Sequence, residues 1–191
     1  MSKEKKSDGR LSLNTMQMIA LGFLGVILLG GVLLWLPFSN QEPIAFADAL
    51  FTSVSAVCVT GLLTIVPATQ FTVAGKVILL VLIQIGGLGV IACTVAFFLI
   101  LRKKITMKER VIIQQTYGLD TLSGLVKYML LILKGTFLVE GIGACCYAFR
   151  FVPEFGVVKG IAYSIFQSIS AFCNAGIDIL GDQSYKGYAT S

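Results

Sequence analysis

Residues 47–61 (ADALFTSVSAVCVTG) recur in altered form as residues 162–176 (AYSIFQSISAFCNAG). The two stretches start 115 residues apart and share the pattern S-x-S-A-x-C-x-x-G. Such self-similarity within one chain indicates an internal repeat, which is how many membrane transport folds are built. The pattern therefore predicts two copies of one structural unit rather than a single irregular domain.

Each copy is a short run of small and apolar residues that ends at a glycine, Gly61 or Gly176. A helix of this length is too short to cross a bilayer, and the glycine allows backbone angles that other residues avoid. Such a segment can enter the membrane, turn back and expose carbonyl oxygens that replace the water around a cation. The pattern favours a re-entrant pore helix followed by a filter; a helix-packing motif or a buried turn without a ligand is the alternative.

The composition indicates an integral membrane protein. Hydrophobic residues make up 56% of the 191-residue chain, charged residues only 13%, and the mean hydropathy is +0.87. The net charge of +5 reflects topology rather than a nucleic-acid partner. The chain has no histidine, which excludes histidine-based catalytic triads and zinc-protease motifs, so we expect no enzyme. Five cysteines are predicted to be small buried apolar residues: Cys58, Cys93, Cys145, Cys146 and Cys173.

The order of apolar and charged runs predicts four regions. Residues 1–10 form a cytoplasmic amino terminus, 11–101 the first helix–pore loop–helix repeat, 102–124 a cytoplasmic connector, and 125–191 a second repeat with an outer helix and a pore loop only. Spans are expected at 16–36, 71–101 and 125–151. Trp35 should lie near the outer interface, Pro37 should end the first span, and Asp48 should cap the first pore helix.

The third span carries the most informative charges. Glu140 falls near its middle, where a carboxylate is costly unless it is paired or faces water. We expect Glu140 to pack inward against another element; a role in the ion path is the alternative. Arg150 should mark the outer end of this span, with Pro153 and Glu154 beyond it. In the second span, the glycines of residues 86–89 are expected to allow close packing against a pore helix, with a bend in the span as the alternative.

Four separate segments carry a family resemblance: residues 56–62 (AVCVTGL), 84–89 (QIGGLG), 105–110 (ITMKER) and 170–178 (SAFCNAGID). Together, and in this order, they resemble the Trk/Ktr/HKT superfamily of potassium transporters, specifically the membrane subunit of the bacterial Trk or Ktr type. The resemblance runs from about residue 11 to the end of the chain.

The resemblance implies an all-α membrane fold of repeated potassium-channel-like units, four in a full family member. It also implies potassium uptake, with possible sodium or proton coupling, at the bacterial inner membrane with the amino terminus in the cytoplasm. A homodimer and a cytoplasmic nucleotide-binding regulatory subunit of the TrkA/KtrA type would be the protein partners, with no cofactor on this chain. The implied potassium ligands are backbone carbonyls of the two filter segments: Val59, Thr60, Gly61, Asn174, Ala175 and Gly176.

Only two of the four expected repeats are present, so we expect an incomplete polypeptide that ends after the second pore loop. Two other functions stay open. Truncated chains could associate into a channel, or the chain could be a non-conducting membrane scaffold whose glycine-rich helices only pack.

Overall fold

The computed structural model describes residues 15–89 and 125–181, and in these ranges the chain is helical without a β-sheet. The expected cytoplasmic connector, residues 102–124, and the end of the second span lie outside the described residues. The helices are α1 (Thr15–Trp35), a 3-10 turn (Pro37–Ser39), α2 (Phe46–Val57), α3 (Pro67–Gln70), α4 (Val73–Leu88), α5 (Leu125–Phe155) and α6 (Val157–Phe172).

Helix α1 matches the first expected span and ends where the sequence predicts. Pro37 cannot continue the helix and begins the 3-10 turn. The last carbonyls of α1 then take side-chain donors: Ser39 Oγ donates to the Leu33 oxygen at 2.6 Å, and Asn40 Nδ2 to the Leu34 oxygen at 2.6 Å. The buried end of α1 therefore leaves few unsatisfied backbone groups.

Helix α5 is longer than predicted. The expected span ends at residue 151, whereas the helix continues through Pro153 to Phe155. A proline removes one backbone hydrogen bond, but here the final turn has other support. The Phe155 ring packs edge-on against Phe151 at 5.9 Å and Tyr163 at 5.2 Å between ring centroids.

The short helices α2 and α6 hold the two copies of the repeated sequence. At 1.5 Å per residue they are about 18 Å and 24 Å long, less than the ~30 Å of a bilayer core. The predicted cap of α2 is wrong: Ala45 occupies the N-cap position, and Asp48 lies in the first helical turn. An acidic residue there still complements the helix dipole.

Helix α4 connects the two halves of the fold. It packs against α1 and α2 on one side and against α6 on the other, while α6 lies along α5. Buried residues of α2, α4 and the segments after both short helices form one apolar core, which includes Leu79, Ile83, Ala56, Ala175 and Ile177. The two copies are thus packed around one shared helix.

Apolar side chains also cover much of the outer surface of α1 and α5. Leu29, Leu131 and Phe149 are 64%, 69% and 85% exposed, which is unusual for a surface that faces water. Within the described residues, one helical stretch, Lys127–Phe155, is long and apolar enough to cross a membrane.

The predicted burial of the cysteines is wrong for Cys58, Cys145 and Cys146, which are exposed. Cys145 and Cys146 lie on α5, among the exposed apolar residues described above. Cys173 is half-buried, and Cys93 lies outside the described residues. An apolar residue can remain exposed on such a helix because its natural surroundings need not be water.

Candidate functional site

The two predicted filter segments, residues 59–61 and 174–176, have the same backbone conformation. Val59 and Asn174 have left-handed φ angles of 55° and 59°, and Gly61 and Gly176 have φ angles of 73° and 66°. Left-handed angles are uncommon for valine, whose branched side chain makes them unfavourable. The same unusual sequence of backbone angles after both short helices shows that the repeat is structural, and it lies at the predicted filter residues.

The hydrogen bonds of the two segments also correspond. The amide of Thr60 donates to the Ser55 oxygen at 3.0 Å, and the amide of Ala175 donates to the Ser170 oxygen at 2.8 Å. The buried hydroxyl of Ser170 further donates to the Ile177 oxygen at 2.6 Å and accepts from the Ile177 amide. The second serine of each S-x-S pattern therefore fastens the segment that follows the helix.

The first serine of each pattern fastens the short helix to its outer helix. Ser53 Oγ donates to the backbone oxygen of Ile27 in α1 at 2.8 Å, and Ser168 Oγ donates to the backbone oxygen of Glu140 in α5 at 2.6 Å. A glycine three residues further along each outer helix makes room for the serine. A methyl group on Gly30 would lie 2.6 Å from Ser53 Oγ, and one on Gly143 would collide with Ser168 Oγ.

These outer-helix glycines were missed by reasoning from sequence. Gly30 and Gly143 are 113 residues apart, whereas the short helices repeat at 115. A search for pairs of glycines near the repeat offset, with two residues of tolerance, would have found them.

The two filter segments lie against each other. A methyl group on Gly61 would collide with the carbonyl oxygen of Ala175 and would lie 3.7 Å from the Cα of Gly176. Thr60, Asn174 and Gly176 are exposed, Val59 and Gly61 are partly exposed, and Ala175 is buried. The structure thus brings all six predicted site residues into one region, with no side chain between Gly61 and the opposite backbone.

The glycine pair of α4 lies between the ends of both short helices. A methyl group on Gly86 would collide with the carbonyl oxygen of Val57, the last residue of α2. A methyl group on Gly87 would collide with Cys173 Sγ and lie 2.6 Å from its Cβ, at the end of α6. The expected close packing of these glycines is confirmed, and it involves the ends of both short helices.

This arrangement has an electrostatic consequence. A helix carries partial negative charge at its C-terminal end, where carbonyl groups lack intrahelical donors. The C-terminal ends of α2 and α6 both contact the same turn of α4, so their negative ends converge. Convergent helix ends next to exposed backbone favour a cation over an anion.

Glu140 is buried, as predicted. It is 5% exposed, and its Oε1 accepts a hydrogen bond from Gln84 Nε2 on α4 at 2.9 Å. The carboxyl group therefore packs inward against another helix, α4. Glu140 itself lies in α5, the helix that is long and apolar enough to cross a membrane.

The family described as cation transport protein, TrkH, matches residues 3–191 of the chain. The potassium/sodium uptake protein NtpJ of Enterococcus hirae is 46% identical over 179 residues, which cover 93% of the chain and 40% of that protein. The Ktr system potassium uptake protein B of Bacillus subtilis is 41% identical over 176 residues, or 91% of the chain and 40% of the relative.

A second Ktr system potassium uptake protein B, from Vibrio alginolyticus, is 36% identical over 166 residues, which cover 87% of the chain and 36% of the relative. The chain thus spans about 40% of the length of the curated relatives it matches.

Proposed function

Because the chain belongs to the TrkH family of cation transport proteins, we propose that it serves potassium uptake across a bacterial inner membrane. In this proposal residues 59–61 and 174–176 form part of the wall of an ion filter. Their backbone carbonyls replace the water that a potassium ion loses on entry. The short helices α2 and α6 are re-entrant, and α1, α4 and α5 contribute to the membrane spans.

One observation carries the proposal: the two segments repeat the same left-handed angles at Val59/Asn174 and Gly61/Gly176 and meet backbone to backbone. A side chain at Gly61 cannot fit because the opposite carbonyl occupies its place. Unpaired backbone at membrane depth is tolerated where it lines a path for water or ions. The convergent negative ends of α2 and α6 give that path its preference for cations.

The substrate follows from the relatives. Each of the three named above is described as an uptake protein for potassium, and one of them for potassium and sodium. We therefore propose potassium as the transported ion, with sodium or protons as the candidate coupling ions. A homodimer, and a cytoplasmic nucleotide-binding subunit that regulates it, complete the proposed system.

The test uses the full-length protein, produced in a bacterial strain that lacks its own potassium uptake. Gly61→Ala is expected to abolish growth at low potassium and uptake of rubidium, because the methyl group meets both an unfavourable φ and the Ala175 carbonyl. Gly176→Ala meets the unfavourable φ alone, with no atom within 4 Å, and should retain more uptake than Gly61→Ala.

Gly25→Ala is the matched control. Gly25 lies in α1, and a methyl group there meets no atom within 4 Å, so uptake should be unchanged. Full uptake by Gly61→Ala, at equal amounts of protein in the membrane, would contradict the filter assignment. It would favour a transporter whose ion path runs elsewhere and in which these segments only pack.

A further inference from the structure

A buried polar contact joins the two halves of the fold away from the filter segments. Gln84 on α4 donates through Nε2 to Oε1 of Glu140 on α5, across 56 residues of sequence and a distance of 2.9 Å. Gln84 is partly buried and Glu140 is 5% exposed. This is the one direct side-chain hydrogen bond between the first and second repeats in the described part of the chain.

Each of these two side chains has one oxygen without a partner. Glu140 Oε2 and Gln84 Oε1 are both fully buried, and neither accepts a hydrogen bond from the described residues. A carboxylate oxygen and an amide oxygen are both acceptors, so they cannot satisfy each other while Glu140 is ionised. Two orphaned acceptors on side chains that are already in contact are costly in an apolar interior.

No positive charge in the described residues balances Glu140. The side chains that contact it from the packed helices are Gln84 on α4 and, through its backbone oxygen, Ser168 on α6; neither is ionisable. The lysines of these helices lie elsewhere: Lys76 donates to the Ala68 oxygen, and Lys159 is nine residues, or about 13 Å along α6, from Ser168.

The ionisable groups of α5 itself do not balance Glu140 either. Lys134 is exposed and lies six residues, about 9 Å along the axis, from Glu140. Arg150 pairs with Glu154 at the outer end of the helix. Among the described residues, an ionised Glu140 carboxylate would be a buried charge without a counter-ion, which is among the least favourable arrangements in a protein.

We propose that Glu140 binds a proton and is held as a neutral carboxylic acid that forms a reciprocal pair with Gln84. The proton on Oε2 donates to Gln84 Oε1, while Gln84 Nε2 donates to Glu140 Oε1. One proton thereby satisfies both orphaned oxygens and closes a ring of two hydrogen bonds between α4 and α5. The proton comes from water, and no bond other than the O–H bond is made.

The position of this proton site gives it a structural role. The backbone oxygen of Glu140 accepts the Ser168 hydroxyl that fastens α6 to α5. The helix that carries Gln84 also carries Gly86 and Gly87, which contact the ends of both short helices. Loss of the proton would therefore loosen the contact between repeats next to the anchor of the second pore helix.

Infrared difference spectroscopy on the purified full-length protein tests the proposal without using transport. The spectrum of the wild type minus Glu140→Gln should contain the carbonyl band of a protonated carboxylic acid, shifted in heavy water. Glu154→Gln is the matched control on the same helix, because Glu154 pairs with Arg150 and its difference spectrum should show carboxylate bands. Carboxylate bands for Glu140 would overturn the proposal, and a change in them when sodium replaces potassium would identify a bound cation instead.

Thermal unfolding of four variants supplies a second test. Glu140→Gln keeps both hydrogen bonds as an amide pair and should unfold at the wild-type temperature, as should the exchange variant Gln84→Glu/Glu140→Gln, which moves the acid to α4. Glu140→Ala and Glu140→Asp remove or shorten the acid and should lower the midpoint. An equal loss in Glu140→Gln and Glu140→Ala would show that the charge, rather than the neutral acid, is what the fold requires.

Discussion

The glycine pair on α4 allows one packing prediction to be worked out closely. Gly86 is pressed against the main chain at the end of α2: a methyl group there would lie 2.9 Å from the carbonyl carbon of Val57 and 3.0 Å from the Ala56 oxygen, besides its collision with the Val57 oxygen. Main-chain atoms at a helix end cannot move aside as a side chain can. Gly86→Ala should therefore displace the start of the first filter segment.

The magnitude follows from two opposing terms. Replacing a helical glycine by alanine stabilises a helix by about 1 kcal/mol, whereas overpacking a well-packed contact costs about 1–3 kcal/mol. Gly25→Ala in α1 gains the first term alone, because it meets no atom within 4 Å. The difference in unfolding free energy between Gly86→Ala and Gly25→Ala therefore isolates the steric cost, about 1–3 kcal/mol.

Gly87→Ala provides an internal comparison because its obstacle is a side chain. The Sγ and Cβ of Cys173 stand in the way, and the Cys173 Cα lies 3.3 Å from the added methyl group. Removing the side chain with Cys173→Gly should rescue much of the loss in Gly87→Ala. The same second substitution should do nothing for Gly86→Ala.

The assay is thermal unfolding of the purified full-length variants in detergent, together with rubidium uptake in cells. From highest to lowest unfolding midpoint, the expected order is Gly25→Ala, Gly87→Ala and Gly86→Ala. A midpoint for Gly86→Ala equal to that of Gly25→Ala would refute the steric reasoning. Rescue of Gly86→Ala by Cys173→Gly would show that the two glycines do not contact separate copies.

The anchoring serines should behave alike. Ser53→Ala and Ser168→Ala each lose one hydrogen bond to an outer helix, which should destabilise the protein by about 1 kcal/mol. Unequal losses in thermal unfolding would argue against equivalent copies. Thr72 caps α4 because its hydroxyl accepts a hydrogen bond from the Gly75 amide at 3.3 Å. Thr72→Ala should therefore cost about 1 kcal/mol of stability and Thr72→Ser much less. Hydrogen exchange at the Gly75 amide should quicken only in the alanine variant. Asn40→Asp keeps the size of Asn40 but loses the donor to the last carbonyls of α1, and its unfolding midpoint should fall as far as that of Asn40→Ala.

The repeat explains how much of the fold was predictable. Identical residues at a fixed offset require similar local backbone, and the matching angles at Val59 and Asn174 agree with that expectation. The long apolar runs likewise predicted α1 and most of α5. Glu140 was predictable because a mid-helix carboxylate in an apolar span has few acceptable surroundings.

Other features depended on contacts between distant residues, which a pattern along the chain does not contain. Nothing local distinguishes Gly86 from Gly87, yet they contact different copies. The apolar run predicted a span that ends at residue 151, but the helix continues to Phe155, whose ring packs on rings from two helices. The exposed cysteines of α5 were assigned to the interior because apolar surroundings and burial within the same chain look alike in sequence.

The contact between Gly61 and the carbonyl of Ala175 bears on how this protein is made. More than a hundred residues separate the two positions, and translation at ~5–20 residues per second places about 6–23 s between their synthesis. During that interval α1 and α4 are the described helices that can pack against the first short helix, and its partner backbone does not yet exist. The contact between residues 59–61 and 174–176 therefore forms late, once the second repeat has been made. Before then the first segment is unpaired, and this is the stage at which a membrane chaperone would have most to protect.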